Sequence, residues 1–269
     1  MGKKMNNAPV YYVVAQVRFN PITTMDQYIP AIQDSLRKSG FPDFQKHFIA
    51  VLNLNFGSKP VPDQPVSATN MPQAQHIFLD EEGHSGFVLE QMAMSFQTSH
   101  YDTFEPFLRA FMRGLETVHK NAELSFYERV GIRFLDAILP ADGEDVSTYL
   151  APNMLGLFGK MENRKFVHAV SETRTQEGRA DLTSRAVIYH QDVSGPIAFP
   201  ADLAGQYVKI MDKFNPVSGT YGVIDTDSSQ GGREKFNLKS IEEAFISLHS
   251  VLRESFDLMV TPHALNVWK

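Results

Sequence analysis

Apolar positions along the chain switch between a period of two and a period near 3.6. Residues 10–19, VYYVVAQVRF, are β-branched and aromatic and predict a buried strand. Thr23-Thr24 then introduces a helix with Ile29, Ile32 and Leu36 at helical spacing, stopped near Gly40. Pro30 lies too deep for a first turn and predicts a kink or a late start. Residues 46–55 return as a strand. Residues 56–73 hold four prolines and a glycine, which predicts a long irregular loop. Segments 75–80 and 86–98 flank Glu81-Glu82-Gly83 as a hairpin. Asp102-x-x-Glu105 resembles a capping box, followed by a helix with Phe104, Phe107, Leu108, Phe111, Leu115 and Val118 on one face.

The second half repeats this order. Residues 124–135 predict a strand, and 146–158 a short helix broken by Pro152. Residues 165–176 and 181–191 predict a hairpin about Glu177-Gly178-Arg179-Ala180, and 195–219 an irregular stretch. A last strand is expected near 221–227. Ser240-x-x-Glu243 predicts the start of a long helix carrying Ile241, Phe245, Leu248, Leu252, Phe256 and Met259. Tyr12-x5-Arg18-Phe19 and Tyr127-x5-Arg133-Phe134 echo one another. The expected fold is α+β, with two similar lobes, each a mainly antiparallel sheet with one long packed helix, related by an internal duplication. The lobes are placed at 1–122 and 123–269 and expected to pack intimately.

Composition narrows the function classes. In 269 residues, 43% are hydrophobic and 21% charged, which suits a globular chain with an ample core. The net charge of −6 argues against coating nucleic acid or anionic lipid. Cysteine is absent, which removes disulfides, thiol nucleophiles and Cys-ligated metal. No apolar run reaches the roughly 20 residues that span a bilayer, and the basic start leads into no signal-peptide core. A cytoplasmic protein away from the membrane is expected.

The familiar catalytic signatures are missing: no GxSxG, Walker loop, GxGxxG or HExxH is present. Glu116-x-x-His119 lacks the second motif that a di-iron bundle needs. Asp225-x-Asp227-x-Ser229 with Gly231 lacks the closing Glu of a calcium loop, with Phe236 in its place. His168 and His190 could share a face of the predicted hairpin, with Glu172 as a third ligand, but ordinary histidines are the plainer reading. Gln230-Gly231-Gly232-Arg233 reads as a flexible turn whose amides could cradle phosphate. No metal or cofactor is expected.

Arginines inside apolar strands are the more informative feature. Alternation puts Tyr127, Arg129, Gly131 and Arg133 on one face of their strand, and Tyr12, Gln16 and Arg18 on one face of the first. A buried guanidinium needs a carboxylate, carbonyls or a bound anion. A structural ion pair is one outcome. The other is a cleft between the lobes that binds a small anionic ligand through Tyr12, Arg18, Tyr127, Arg129 and Arg133, with Gly131 leaving room for close approach.

YERVGIRFLDAI at 127–138 resembles the central motif of a sporadically distributed, functionally uncharacterised bacterial protein family. VVAQVRFNPI at 13–22 resembles that family's opening strand, and LHSVLRESFDLMVTPHALNVWK at 248–269 its closing helix, which ends in a Trp. Residues 140–235 carry no family mark. The resemblance supplies no activity or site residue. The patchy distribution implies an accessory role such as phage defence or toxin neutralisation. By topology alone, the repeated modules resemble the GyrI-like small-ligand-binding domains. The expected function is therefore a non-catalytic interaction component with a protein partner or self-association. The alternative is a small-ligand sensor with a cleft between lobes.

Overall fold

The computed structural model describes residues 7–54, 68–161, 164–203 and 205–269. Its strands are β1 (Val10–Phe19), β2 (Asp43–Leu54), β3 (Ala68–Leu79), β4 (Ser85–Leu89), β5 (Ala93–Thr98), β6 (Phe126–Ile138), β7 (His168–Glu177), β8 (Ala180–Gly195) and β9 (Val217–Lys235). Its helices are α1 (Met25–Lys38), α2 (Phe104–Ala122), α3 (Val146–Tyr149), α4 (Leu238–Met259) and α5 (Pro262–Val267). Most of the expected loop at 56–73 lies outside the described residues, and β3 begins inside its last part.

All nine strands join one sheet in the order β2-β3-β4-β5-β1-β6-β9-β8-β7, and every pairing is antiparallel. The first half supplies β1–β5 and the second β6–β9. Their first strands, β1 and β6, are hydrogen-bonded neighbours at the centre, with Ala15 opposite Ile132. The α+β class is as the sequence pattern implies. The halves meet as one continuous sheet rather than as walls of a cleft.

Helices α1, α2 and α4 cover one face. Strand alternation sends Val13, Ala15, Val17 and Phe19 of β1 and Val130, Ile132 and Phe134 of β6 into the core beneath them. The helices answer with Ile32, Phe111, Leu115, Phe245 and Leu248. A third apolar cluster forms where α3, α5 and the end of α4 close over β8 and β9, with Tyr149, Ile188, Ile224, Met259 and Trp268 inside.

The opposite, back face is covered by the irregular residues 196–203 and 205–214. Ile197, Phe199, Val208 and Phe214 of this strap pack on Tyr11, Tyr12, Leu135, Tyr221 and Val223. The strap crosses from the second half onto the first, held by side chains that act as backbone surrogates. Gln97 Nε2 donates to the Gly205 carbonyl at 2.6 Å, and the Tyr207 amide donates to Gln97 Oε1 at 3.1 Å. The Tyr207 hydroxyl bonds Gln75, and Ser99 Oγ donates to the Lys209 carbonyl at 2.5 Å. These bonds satisfy backbone groups that a non-repetitive segment cannot pair by itself.

Several local expectations change. β9 runs far beyond 221–227: Gln230 pairs with β6 and β8, Gly231 pairs with β6, and Gly232 and Arg233 fall in a bulge of the strand rather than in a turn. Helix α4 starts before Ser240: Asn237 is its cap and accepts from the Ser240 amide at 3.0 Å. His168 stands opposite Tyr189, so period-two alternation puts His190 on the other face from His168.

Candidate functional site

The buried arginine of the β6 motif is the centre of a charge network on the back face. Four strands supply it in adjacent register. Arg133 of β6 stands beside Asp225 of β9, Asp225 lies opposite Arg185 of β8, and Arg185 lies opposite Glu172 of β7. Arg133 donates to Asp225 through Nε and Nη2, each at 2.7 Å. Its outer edge, Nη1 and Nη2, donates to the two oxygens of Asp202 on the strap at 3.3 and 3.1 Å. Arg185 Nη1 reaches Asp225 at 3.0 Å and Asp202 at 3.4 Å, while its Nε donates to Glu172 at 2.7 Å.

Burial grades this network from inside to outside. The side chain of Asp225 is 1% exposed and that of Arg133 9%, whereas Arg185 is 15% and Asp202 58% exposed. Hydrogen bonds to Asp225 and Asp202 hold Arg133 above the ordinary guanidinium range against the opposing effect of burial. The hydrogen bond from Arg133 holds Asp202 below the usual carboxylate range. Asp227, opposite Arg133 in the ladder, is pushed up by its own burial, which the nearby arginines offset only in part.

A crevice of about 430 Å³ adjoins the network. Val170, Val187, Tyr189, Pro200 and Ala201 form its apolar part, and His168, Glu172 and Arg185 its polar rim. A second, wider crevice of about 640 Å³ lies at the turn after β1, lined by Asn20, Thr23, Thr24, Asn121, Glu123 and Ser125 among others. It gathers no comparable charge pair.

The five residues singled out from the sequence are divided by the fold. Tyr12 and Arg133 share the back face, diagonal to one another across β1 and β6. The Tyr12 hydroxyl is buried and has no hydrogen-bond partner. Arg18 is also on the back face, but is exposed and reaches Met92 Sδ at 3.7 Å. It stands opposite Arg129. The space at Gly131 is already taken: a β-carbon there would sit 3.2 Å from Ser229 Cβ and 3.4 Å from Arg129 Nη1. Tyr127 joins the helix-side core, because the ladder shifts register between Tyr127 and Arg129. Its hydroxyl donates to Glu234 at 2.7 Å, and burial with that bond pushes it up to about 12. The Tyr-x5-Arg-Phe echo thus places its two tyrosines on opposite faces, while Phe19 and Phe134 share the helix-side core.

Asp202 and Arg185 carry weight that sequence reasoning missed. Asp225 and Asp227 alternate along a strand that must pair with something, and arginines alternating on β6 were the available complement. Nothing in the irregular segment marks Asp202. Asp225, Asp227 and Ser229 share one face of the extended strand, but they are strung out along it rather than curled into a loop, so they cannot wrap a calcium ion. Among the described residues no group of three or more His, Asp or Glu is placed to hold a metal ion, and no helix is long and apolar enough to cross a membrane. No family model matches the chain, and no curated protein is significantly similar to it.

Proposed function

We propose that the protein is a non-catalytic binding component of an accessory bacterial system, such as phage defence or toxin neutralisation, and that it engages a protein partner along β7. The observation that carries this is the end of the sheet. Among the described residues β7 pairs only with β8, so one side of a ten-residue strand keeps its amides and carbonyls open. Exposed apolar side chains gather near its start: Val167 and Val170 on the chain itself, Val193 beside the Lys165–Asp192 ion pair, and Leu157 on the loop tied down by Phe158 against Phe166. An extended segment of a partner adding to β7 would satisfy the open backbone and cover these side chains. The internal duplication remains part of the proposal, supported by β1 and β6 meeting as the first strand of each half.

Native purification followed by mass spectrometry of bound proteins tests it, with a Val167→Asp/Val193→Asp variant alongside. The expected result is one stoichiometric partner with the wild type and none with the variant at unchanged melting temperature. A partner retained equally by the variant, or a chain that purifies alone from its native source, overturns it.

A second proposal is a small-ligand sensor. The crevice beside Arg185 favours it, although that crevice lies on the back face of one sheet rather than between two lobes.

A further inference from the structure

Arg133 is held by two carboxylates that do different work. Asp225 takes the inner edge at 2.7 Å on both bonds, is sealed from water and sits on a central strand. Asp202 takes the outer edge at 3.1–3.3 Å and is more than half exposed. Asp202 lies in a turn closed by the Leu203 amide on the Pro200 carbonyl at 3.0 Å. The strap around that turn has its own anchors: Ala198 accepts from the Tyr11 hydroxyl at 2.7 Å, and Gly205 and Tyr207 are tied to Gln97. The Asp202 side chain can therefore rotate toward solvent without unfastening the strap. What it leaves is a guanidinium fork, Nη1 and Nη2 of Arg133 with Nη1 of Arg185 alongside.

We propose that this fork is a carboxylate-binding subsite, with Asp202 its tethered occupant, and that the ligand is a small molecule with a carboxylate head and an apolar body lying in the crevice against Val187, Tyr189 and Pro200. Asp202 itself demonstrates the head-group geometry, a two-oxygen, end-on approach to Arg133 of the kind guanidinium groups make with free carboxylates. Exchange of Asp202 for a ligand carboxylate leaves the local charge unchanged, so the buried Arg133–Asp225 pair stays compensated throughout. The crevice opens directly from Arg185 and from Ala201, the neighbour of Asp202, so head and body sites are continuous. A second observation points to polar occupancy of the same face. Tyr12, diagonal to Arg133 in the ladder and with its ring edge-on to Phe199 at a centroid distance of 5.3 Å, has a buried hydroxyl with no hydrogen-bond partner. The polar groups of this face are thus not all satisfied by the protein itself, and the outer edge of Arg133 is filled by a carboxylate that is more than half exposed. Competition by Asp202 makes wild-type binding weak and selects ligands whose apolar body adds affinity.

This rests on the small-ligand proposal and names its ligand class; the crevice shares His168, Val170 and Glu172 with β7 but needs no partner there. Benzoate is the probe, acetate the head-group control, and sodium chloride at equal ionic strength the blank, with binding read by calorimetry and melting temperature. Wild-type protein should be stabilised by millimolar benzoate, less by acetate and not by chloride. Asp202→Ala should bind benzoate at least tenfold more tightly, and Asp202→Ala/Arg185→Gln should lose that gain. Asp202→Asn preserves the side-chain shape and serves under the same criterion if the alanine variant does not fold. Wild-type protein that benzoate stabilises no more than chloride overturns the subsite. So does a folded Asp202 variant that gains no affinity, or a gain that survives loss of Arg185. Those failures would leave the sensor proposal standing if a different small molecule co-purifies with the native protein, and would remove both if none does.

Discussion

Arg133 and Asp225 meet diagonally across the β6–β9 ladder through two 2.7 Å hydrogen bonds, both nearly closed off from water. Each charge is the other's nearest compensation, with Asp202 on the outer edge of Arg133 and Arg185 beside Asp225. Desolvating a lone guanidinium or carboxylate costs more than any single hydrogen bond returns. The pair is thus better understood as fixing which strands lie side by side than as a net source of stability.

Removing one partner should be costly and removing both much less so. Asp225→Leu is expected to lower unfolding free energy by about 3–5 kcal/mol, the usual cost of stranding a buried charge. Arg133→Met/Asp225→Leu should lose clearly less than the two single losses added together. Urea denaturation of the four proteins measures this cycle, and near-additive losses would show that the two side chains act independently.

Asp136 lies on the helix-side face of β6, 3% exposed. Burial pushes its carboxyl up to about 8, opposed in part by Arg253 and reinforced by Asp225. The folded value lies above the ordinary carboxylate value of about 4, so the folded state holds the proton more tightly than the unfolded chain does. The resulting stability is complete below about pH 4 and is lost as pH rises through about 8. Asp136→Asn should therefore melt higher than wild type at pH 8.5, with a smaller difference at pH 5. His249, which burial holds down at about 4, contributes a slope of opposite sign on the acid side. Melting curves across pH measure this, and equal shifts at both pH values would remove Asp136 as the source.

Gly114 tests how α2 meets the sheet. In an exposed helix interior, Ala would be favoured over Gly by about 1 kcal/mol. Here a β-carbon would stand 2.3 Å from Cε1 of Phe87 and 2.7 Å from Cε of Met94. Phe87 is itself held between Phe41 and Phe96, with centroids 4.8 and 4.7 Å away. It has nowhere to retreat, so the clash should outweigh the propensity gain. Gly114→Ala is expected to destabilise by about 1–3 kcal/mol, the range for overpacking, read as a lower denaturation midpoint. A variant more stable than wild type would mean that the helix can lift off the sheet cheaply.

The parts of the fold legible in the sequence are those where one local rule dominates. Residues 10–19 form β1 because nothing but a strand suits that β-branched, aromatic run. The faces of α2 and α4 follow from apolar spacing alone. The glycine pair at 231–232 reads as a turn because glycine breaks local propensity; in the structure Gly231 pairs with Arg129 of β6, and Gly232, at a φ of +129°, falls where that ladder shifts register. Tyr127 faces the helices and not, as alternation predicts, the back, because one register shift reverses strand alternation and a bulge leaves little mark in composition. At the site, the need of Arg133 for a carboxylate could be read from its strand context. The identity of Asp225 and Asp202 could not, because both partners come from chain more than 60 residues away.

Trp268 is the chain's single tryptophan and stands next to its last residue, yet it is only 5% exposed. Thr261 and Pro262 make this possible. Pro262 ends α4 by disfavouring helix at the residue before it, and Thr261 caps α5, its side chain accepting from the Ala264 amide at 3.2 Å. The chain turns, and the indole packs against Phe256 and Tyr149 at centroid distances of 5.9 and 6.1 Å. The Trp268 carbonyl accepts from the Asn7 amide at 3.2 Å, so the indole's own residue also ties down the segment leading into β1. A chain end held this way is a structural element and not a tail. Trp268→Ala should cost about 3–5 kcal/mol, as for other buried aromatics cut to alanine, a large share of a typical total of about 5–15 kcal/mol. Fluorescence reports on burial directly because there is one indole. The isolated protein should emit at a blue-shifted maximum that iodide does not quench. A red-shifted, freely quenched emission that turns blue only on self-association or on adding a partner would instead make this end a binding surface, since tryptophan is enriched where interfaces are strongest.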